Sequence, residues 1–185
     1  MEDQILRAFE QVEVAPVAES QFISDEMLAA LRQAYQLDWE GRHGFHHWER
    51  VRENGLRLAA TTGANAKIAE LFAFLHDVGR ENDGWDRGHG RRAVDYIEKV
   101  GKQFLDLSES DMEMLKYACA HHTDGGREGN ITVQVCWDAD RLDLGRVNIR
   151  PQARYLCTSV AQDPGVIEWA FRHSQQGLTN PGEDR

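Results

Sequence analysis

Apolar residues recur at helical spacing along almost the whole chain, and this limits it to an all-α fold. The clearest stripe joins Ile68, Leu71, Phe72 and Leu75, whose spacing of i, i+3, i+4 and i+7 places them on one helical face. Apolar and polar residues alternate, as in a half-buried strand, only over residues 131–135, and the flanking sequence favours a helix there too. We therefore predict an all-α, multi-helix bundle.

The length of the chain suits one domain. A chain of 185 residues can bury a sizeable core, and no change in composition indicates a boundary between two domains. We predict an N-terminal helical arm over residues 1–22 and a helical core domain over residues 23–174. Residues 175–185 combine Gly, Asn, Pro and charges, and we predict a frayed tail there.

The composition narrows the classes of partner. A formal net charge of -10 argues against broad binding of nucleic acid or of an anionic membrane by the whole surface. The three cysteines show no Cys-x-x-Cys spacing, and an odd number fits a reducing cytosol. No apolar run approaches the roughly 20 residues of a membrane span. We therefore expect a cytoplasmic protein without a membrane partner, and the oligomeric state, including a homo-oligomer, stays open.

Imidazole and carboxylate groups follow one another in a series along the sequence. Its members are His47, His76, Asp77, His89, His121, His122 and Asp140. Each alone has an ordinary explanation, such as a hydrogen-bonded core histidine or a solvated acid. Together they form the kind of nitrogen and oxygen ligand set that suits Zn²⁺, Fe, Mn²⁺, Co²⁺ or Ni²⁺. The series therefore predicts a site for one or two divalent transition-metal ions.

The local pattern directs two of these side chains inward. His47 shares a helical face with Val51 and Leu58, so its ring is expected to point into the core. Asp140 continues a stripe that includes Cys136. A buried carboxylate needs a cation or several hydrogen-bond donors to stay ionised, which is consistent with a metal ligand.

The motifs around these residues resemble the HD-domain superfamily of metal-dependent phosphohydrolases. His47 lies in His-x-x-Arg-Val, His76 and Asp77 in His-Asp-Val-Gly, and Asp140 in Asp-Ala-Asp-Arg-Leu-Asp. The resemblance covers roughly residues 41–145 and implies a helical bundle of the HD-domain type, in which these four residues bind one metal ion. The last ligand of the family lies in an Ala-Asp-(Arg/Lys) setting, which selects Asp140 over Asp138.

Some branches of this family add histidines between the His-Asp pair and the final Asp. They bind a second metal ion, bridged by the Asp of the pair. His89, His121 and His122 stand in that interval, and the sequence does not choose between the two adjacent histidines. His43 is similar to an upstream histidine of some relatives and is expected near the ligands or the substrate.

The resemblance implies hydrolysis of a small phosphorylated metabolite or nucleotide by a metal-activated water. Asp77 would orient or deprotonate that water, and His121 or His122, if not a ligand, would protonate the leaving oxygen. Basic side chains near the motifs would hold the phosphate, together with His43: Arg50, Arg80, Lys116 and Arg141. Arg50 is preferred, because it follows His47 by three residues and a guanidinium binds phosphate in a bidentate manner.

Two other functions remain open at this stage. Helical relatives with six ligands, such as the myo-inositol oxygenases, use two irons and O₂, so a diiron oxygenase of the HD-domain type is one alternative. The other is a non-catalytic domain that binds a nucleotide and regulates. Trp48, Trp85 and Trp137 are candidates for stacking on a nucleobase, with packing in the core as the competing role.

Overall fold

A computed structural model describes residues 2–176 and shows eight α-helices within this range. They are α1 Glu2–Glu10, α2 Asp25–Ala34, α3 Phe45–Thr62, α4 Ala66–Leu75, α5 His89–Phe104, α6 Glu109–His121, α7 Ile131–Leu142 and α8 Pro164–Gln175. Short 3-10 helices cover Val17–Glu19, Asp143–Val147 and Ala153–Tyr155. Residues 2–176 contain no strand, and residues 131–135 begin α7, so the all-α prediction is confirmed. None of the eight helices is long and apolar enough to cross a membrane.

Side-chain caps set where several helices begin. The hydroxyl of Ser24 accepts a hydrogen bond from the backbone N–H of Met27 at the start of α2. Asn65 caps α4 and Ser108 caps α6 in the same manner. These side chains satisfy backbone donors that have no partner inside the helix. α3 ends at Gly63, whose φ of 77° is a left-handed conformation that glycine adopts readily.

Helices α3, α4 and α7 pack together at the centre of the bundle. Every residue from 68 to 75 is buried, and all of them are apolar except Glu70, which accepts a hydrogen bond from Arg52. Gly55 on α3 lies where the three helices meet, and the space there would hold a Cβ atom at ordinary van der Waals distances. A Cβ atom at Gly55 would lie 3.4 Å from the Cβ of Ala69 on α4 and 3.6 Å from the Cβ of Ala139 on α7. The bundle thereby brings the helices that carry the predicted ligands side by side.

The two ends of the described chain meet on one side of the bundle. Phe9 on α1 is fully buried, and its ring lies 5.1 Å from that of Trp169 on α8. Arg57 on α3 donates to the carbonyl oxygens of Phe9, Glu10 and Val12 and so ties α1 to the centre. The predicted arm therefore includes a helix that packs on the body of the protein. Gln175 ends α8, and residues 177–185 of the predicted tail lie outside the described residues.

Candidate metal centre

Six metal-ligating side chains meet where α3 to α7 converge. They are His47 on α3, His76 and Asp77 directly after α4, His89 at the start of α5, His122 directly after α6, and Asp140 on α7. Five of them are buried, and the Asp140 side chain is 16% exposed. The helical core thus gathers residues that are far apart in the sequence into one polar site.

The two oxygens of Asp77 face different pairs of histidines. Oδ2 lies 3.7 Å from Nε2 of His47 and 3.7 Å from Nε2 of His76. Oδ1 lies 3.2 Å from Nε2 of His89 and 3.5 Å from Nε2 of His122. A carboxylate in this position can contribute one oxygen to each of two neighbouring cation sites.

Asp140 completes the half of the site that contains His47 and His76. Its Oδ1 lies 3.5 Å from Nε2 of His47 and 3.8 Å from Nε2 of His76, and those two nitrogens are 3.2 Å apart. In the other half, the Nε2 atoms of His89 and His122 are 2.8 Å apart. Both halves therefore present several ligand atoms to a small common volume.

The hydrogen bonds at Nδ1 determine which nitrogen of each ring faces the site. Nδ1 of His47 lies against Oδ2 of Asp143. In the other three rings Nδ1 lies against a backbone carbonyl oxygen: Phe72 and Ala73 for His76, Asp86 for His89, and Cys119 for His122. A carbonyl or carboxylate oxygen only accepts, so Nδ1 carries the hydrogen in each ring. Each neutral ring then presents the lone pair of Nε2 to the centre.

This donor set fits a bound cation. In each half, lone pairs of two Nε2 atoms face each other at hydrogen-bond distance, which is repulsive unless a proton or a metal ion lies between them. Oδ1 of Asp77 is buried and has no hydrogen-bond donor among the described residues. An unpaired buried carboxylate oxygen is costly, and a divalent ion would satisfy it together with the imidazoles.

The pKa shifts keep three of the candidate ligands, His47, His76 and Asp77, in the metal-binding form. Burial lowers the pKa of His76 to about 4 and that of His47 well below its usual value, so both rings are neutral near pH 7. Burial raises the pKa of Asp77, but the neighbouring His76, His122, His89 and Arg80 outweigh it and lower that pKa well below its usual value. Burial lowers the pKa of His122, and the neighbouring Asp77 reverses this and raises it.

Asp143 and Arg146 surround the His47 half and were not among the predicted site residues. Asp143 accepts hydrogen bonds from Nε and Nη2 of Arg50, at 2.7 and 3.1 Å, in addition to the one from His47. Arg146 donates to the carbonyl oxygen of Asp143 and lies 3.9 Å from Oδ1 of Asp140. Both belong to the 3-10 helix after α7. Asp143 is the last acid of the Asp-Ala-Asp-Arg-Leu-Asp motif, whereas no sequence pattern singles out Arg146.

Three of the predicted substrate-binding residues lie at the centre. Nε of Arg80 donates to Oδ2 of Asp77 at 2.9 Å. His43 is buried, its ring centroid lies 6.3 Å from that of His47, and its Nδ1 lies 2.9 Å from Oδ1 of Asp83. Arg50 is near His47, but the bidentate pair with Asp143 occupies two of its nitrogens. Arg80 is thus the predicted arginine that contacts a ligand directly.

His121 and His122 point in different directions. His122 continues the buried stripe of Leu115 and Cys119 and lies in the site. His121 lies on the side of Tyr117, its side chain is 45% exposed, and its Nδ1 is 2.6 Å from Oδ2 of Asp124. Adjacent helical residues are about 100° apart, so only one of the two can face the core. The structure therefore does not bring His121 into the site, as ligand or as acid.

Lys116 and Arg141 form contacts elsewhere. Lys116 pairs with Glu98 at 3.0 Å and with Glu113 at 2.7 Å. The guanidinium of Arg141 donates to the carbonyl oxygens of Tyr155 and Gly126. Both side chains are held by other partners, and the structure does not place them among the ligands. Arg141 directly follows Asp140 on α7, and adjacent helical residues project about 100° apart.

The carboxylates of Asp138 and Asp140 have separate surroundings. Asp138 accepts from the backbone N–H groups of Cys157 and Thr158 and from the Thr158 hydroxyl, at 2.6, 2.8 and 2.9 Å. It therefore holds the segment before α8 against α7. Asp140 is the residue that joins His47 and His76, as the motif implied.

Comparison with known proteins places this site in a family. The model of the HD domain family matches residues 44–145, a range that contains all six ligand candidates. The chain belongs to the HD domain family. A crystal structure of a predicted HD superfamily hydrolase from an uncultured Thermotogales bacterium has the same fold, with a TM-score of 0.63 and 24% identity over 82% of this chain and 86% of that one. A search of curated proteins found no match.

Proposed function

We propose that this HD-domain protein is a metal-dependent phosphohydrolase acting on a small phosphorylated metabolite or nucleotide. The observation that carries the proposal is the Asp77 carboxylate, which is shared between two pairs of imidazole nitrogens. Centres of this kind, with two cations a few ångströms apart, are typical of enzymes that cleave phosphate esters. Membership of the HD domain family and the hydrolase named for the similar structure support the proposal.

The proposal assigns the ligands to two cation sites. One comprises His47, His76, Asp140 and Oδ2 of Asp77. The other comprises His89, His122 and Oδ1 of Asp77. Fe, Mn²⁺, Zn²⁺, Co²⁺ and Ni²⁺ are all compatible with imidazole and carboxylate ligands. When bound, such ions supply a Lewis acid for a phosphoryl oxygen and lower the pKa of water toward neutrality.

The side chains of the protein itself would hold and orient the substrate. Arg80 contacts Asp77 and lines an adjoining cavity, so its guanidinium is placed to bind an anionic phosphoryl group. The Arg146 side chain is 7% exposed, lies 3.9 Å from Oδ1 of Asp140 and adds positive charge there. Asp77 is the one ionised group that faces both cation sites and is best placed to orient an attacking water. His122 serves as a ligand in this proposal.

The direct test is a metal-supplemented phosphatase and phosphodiesterase screen. Elemental analysis of the purified protein identifies the metal, and phosphate monoesters and diesters are then assayed with that metal. We expect turnover by the wild-type protein and none by Asp77→Ala, with circular dichroism showing that the variant is folded. Absence of turnover for every ester, with the metal bound, would remove the phosphohydrolase proposal.

The six-residue ligand set also favours a second candidate, a diiron oxygenase. Such an enzyme requires two irons and consumes O₂, whereas hydrolysis proceeds equally well without oxygen. Assays under anaerobic conditions therefore separate the two. A protein with bound metal that binds a nucleotide, and neither hydrolyses nor oxidises it, would instead be the regulatory domain.

A further inference from the structure

A cavity of about 480 Å³ adjoins the His89 half of the centre. Its lining includes His89 and Arg80, both of which contact the Asp77 carboxylate. Trp85 and Arg87 line the same cavity. The volume lies in the usual range of small-molecule sites, which is about 300–1,000 Å³. A ligand in this cavity would extend from the candidate metal centre to the surface loop that carries Trp85.

Trp85 is unusually exposed for a residue of its size. Its relative accessibility is 82%, whereas Trp48 and Trp137 are buried at 0% and 2%. Of the three tryptophans considered as stacking residues, only Trp85 therefore has a free surface. The Arg87 guanidinium lies 5.5 Å from the centroid of its ring. An exposed indole beside a cation is a suitable platform for a planar aromatic group that carries negative charge.

The loop that displays Trp85 is held in place by hydrogen bonds. Oδ2 of Asp86 accepts hydrogen bonds from the backbone N–H of Glu81 at 3.0 Å and from Nη2 of Arg92 at 2.5 Å. Oδ1 of Asp86 accepts a hydrogen bond from the backbone N–H of Gly88 at 3.2 Å. The carbonyl oxygen of the same Asp86 accepts from Nδ1 of His89. One residue thus fixes both the loop and a candidate ligand, which gives Trp85 a defined position beside the centre.

The charges that line the cavity suit an anionic ligand. The carboxylate of Asp86 is engaged by Arg92, and that of Asp124 lies 2.6 Å from the His121 ring. Arg80 and Arg87 are the basic side chains of the lining. A phosphate ester would therefore meet Arg87 beside the loop and, beside the centre, Arg80, which also donates to Asp77.

From this arrangement we propose that the cavity is a specificity subsite for the planar aromatic part of the substrate, which stacks on Trp85 while its phosphate faces Asp77. The substrate class is then a nucleotide-like phosphate ester with a base or another flat ring. This inference rests on the proposed phosphohydrolase function. It adds the recognition of the group attached to the phosphate, which the ligand set does not determine.

The test compares adenosine 5′-monophosphate with ribose 5-phosphate, which lacks the base. The measured quantity is the ratio of their kcat/KM values for wild type, Trp85→Ala and Trp85→Phe. Stacking of one base on an aromatic side chain is commonly worth a factor of about ten or more, so Trp85→Ala should lower the ratio about tenfold and Trp85→Phe should restore most of it. Tyr155→Ala is the matched control, because Tyr155 is 56% exposed, carries Arg154 over its ring and lines a different cavity.

Binding of adenosine 5′-monophosphate, measured by calorimetry, separates the two proposals. Weaker binding by Trp85→Ala in a protein that hydrolyses no ester would support the subsite and overturn the hydrolase function. Hydrolysis of both esters with an unchanged ratio in Trp85→Ala would overturn the subsite and leave the hydrolase function intact. Binding that is equally weak for wild type and variant, without turnover, would overturn both.

Discussion

Asp143 accepts a hydrogen bond from Nδ1 of His47 at 2.7 Å, and this buried contact turns Nε2 of His47 toward the other ligands. A partner of this kind fixes the ring and increases its basicity, and its removal commonly lowers metal affinity about 10–100-fold. We expect Asp143→Asn to weaken metal binding by a factor in this range, as measured by competition with a chelator of known affinity. An unchanged dissociation constant in a folded variant would show that Asp143 does not position the ligand.

Asp138 and Asp140 provide a matched pair of substitutions two residues apart. Asp140→Asn should lower the metal content, while the free energy of unfolding of the metal-free protein stays close to that of metal-free wild type, since Asp140 faces the ligands. Asp138→Asn should keep the metal and lose stability, by about 1–3 kcal/mol, because asparagine retains one acceptor oxygen and its NH₂ group would face the donors of Cys157 or Thr158. Chemical denaturation measures the free energy of unfolding of each variant, and elemental analysis measures its metal content. The reverse pattern would mean that the ligand has been assigned to the wrong aspartate.

The adjacent histidines allow an equally direct comparison. His122→Ala should lose the metal ion bound on the His89 side, because its Nε2 lies 2.8 Å from that of His89. His121→Ala should retain the metal content of wild type, because that ring lies beside Asp124 at the surface. Metal-to-protein ratios after dialysis decide between these expectations. Equal losses in both variants would contradict the orientation seen at the end of α6.

Glu53 links stability to pH away from the metal centre. Its carboxylate lies 2.8 Å from Nε2 of His173 and accepts from Nη2 of Arg57 at 2.8 Å. Burial raises the pKa of Glu53, but these hydrogen bonds outweigh it and lower the pKa to about 2. A carboxyl group with a lower pKa in the folded state stabilises the protein above its ordinary pKa of 4.5, and that contribution is lost as the pH falls toward 2.

The corresponding variant is Glu53→Gln. At pH 7 it should unfold more easily than wild type by about 1–3 kcal/mol, and the difference should shrink as the pH is lowered through the range from 4.5 to 2. Urea denaturation at several pH values measures this difference. A constant difference at all pH values would show that the ionised carboxylate is not what stabilises the contact between α3 and α8.

Much of this site was predictable because helical spacing reports which residues face the core. The stripes of His47 and Asp140 pointed inward, and the His-Asp motif supplied the ligands after α4. The sequence could not show which of His121 and His122 is the ligand, because each continues a different stripe of α6. Which stripe faces the core depends on how α6 packs. The sequence order also gave no reason for Arg146 to approach Asp140, since the chain changes from α-helical to 3-10 geometry between them.

The positions of loop residues could not be predicted from the sequence either. Periodicity describes helices, so it could not show that Trp85 is exposed while Trp48 and Trp137 are buried. The loop position of Trp85 depends on Asp86, whose hydrogen bonds reach Arg92 on the next helix. A contact between a loop and the helix that follows it depends on how the two pack, and helical periodicity gives no signal for it.

The central claim is that Asp77 is shared between two cation sites, and the metal content of purified protein tests it most directly. Wild type and Asp77→Ala are loaded with the native metal, dialysed and analysed by mass spectrometry, with circular dichroism as a check of folding. We predict about two ions per chain for wild type and close to none for the variant, because both sites lose an anionic ligand. An Asp77→Ala protein that keeps the metal content of wild type would contradict the account.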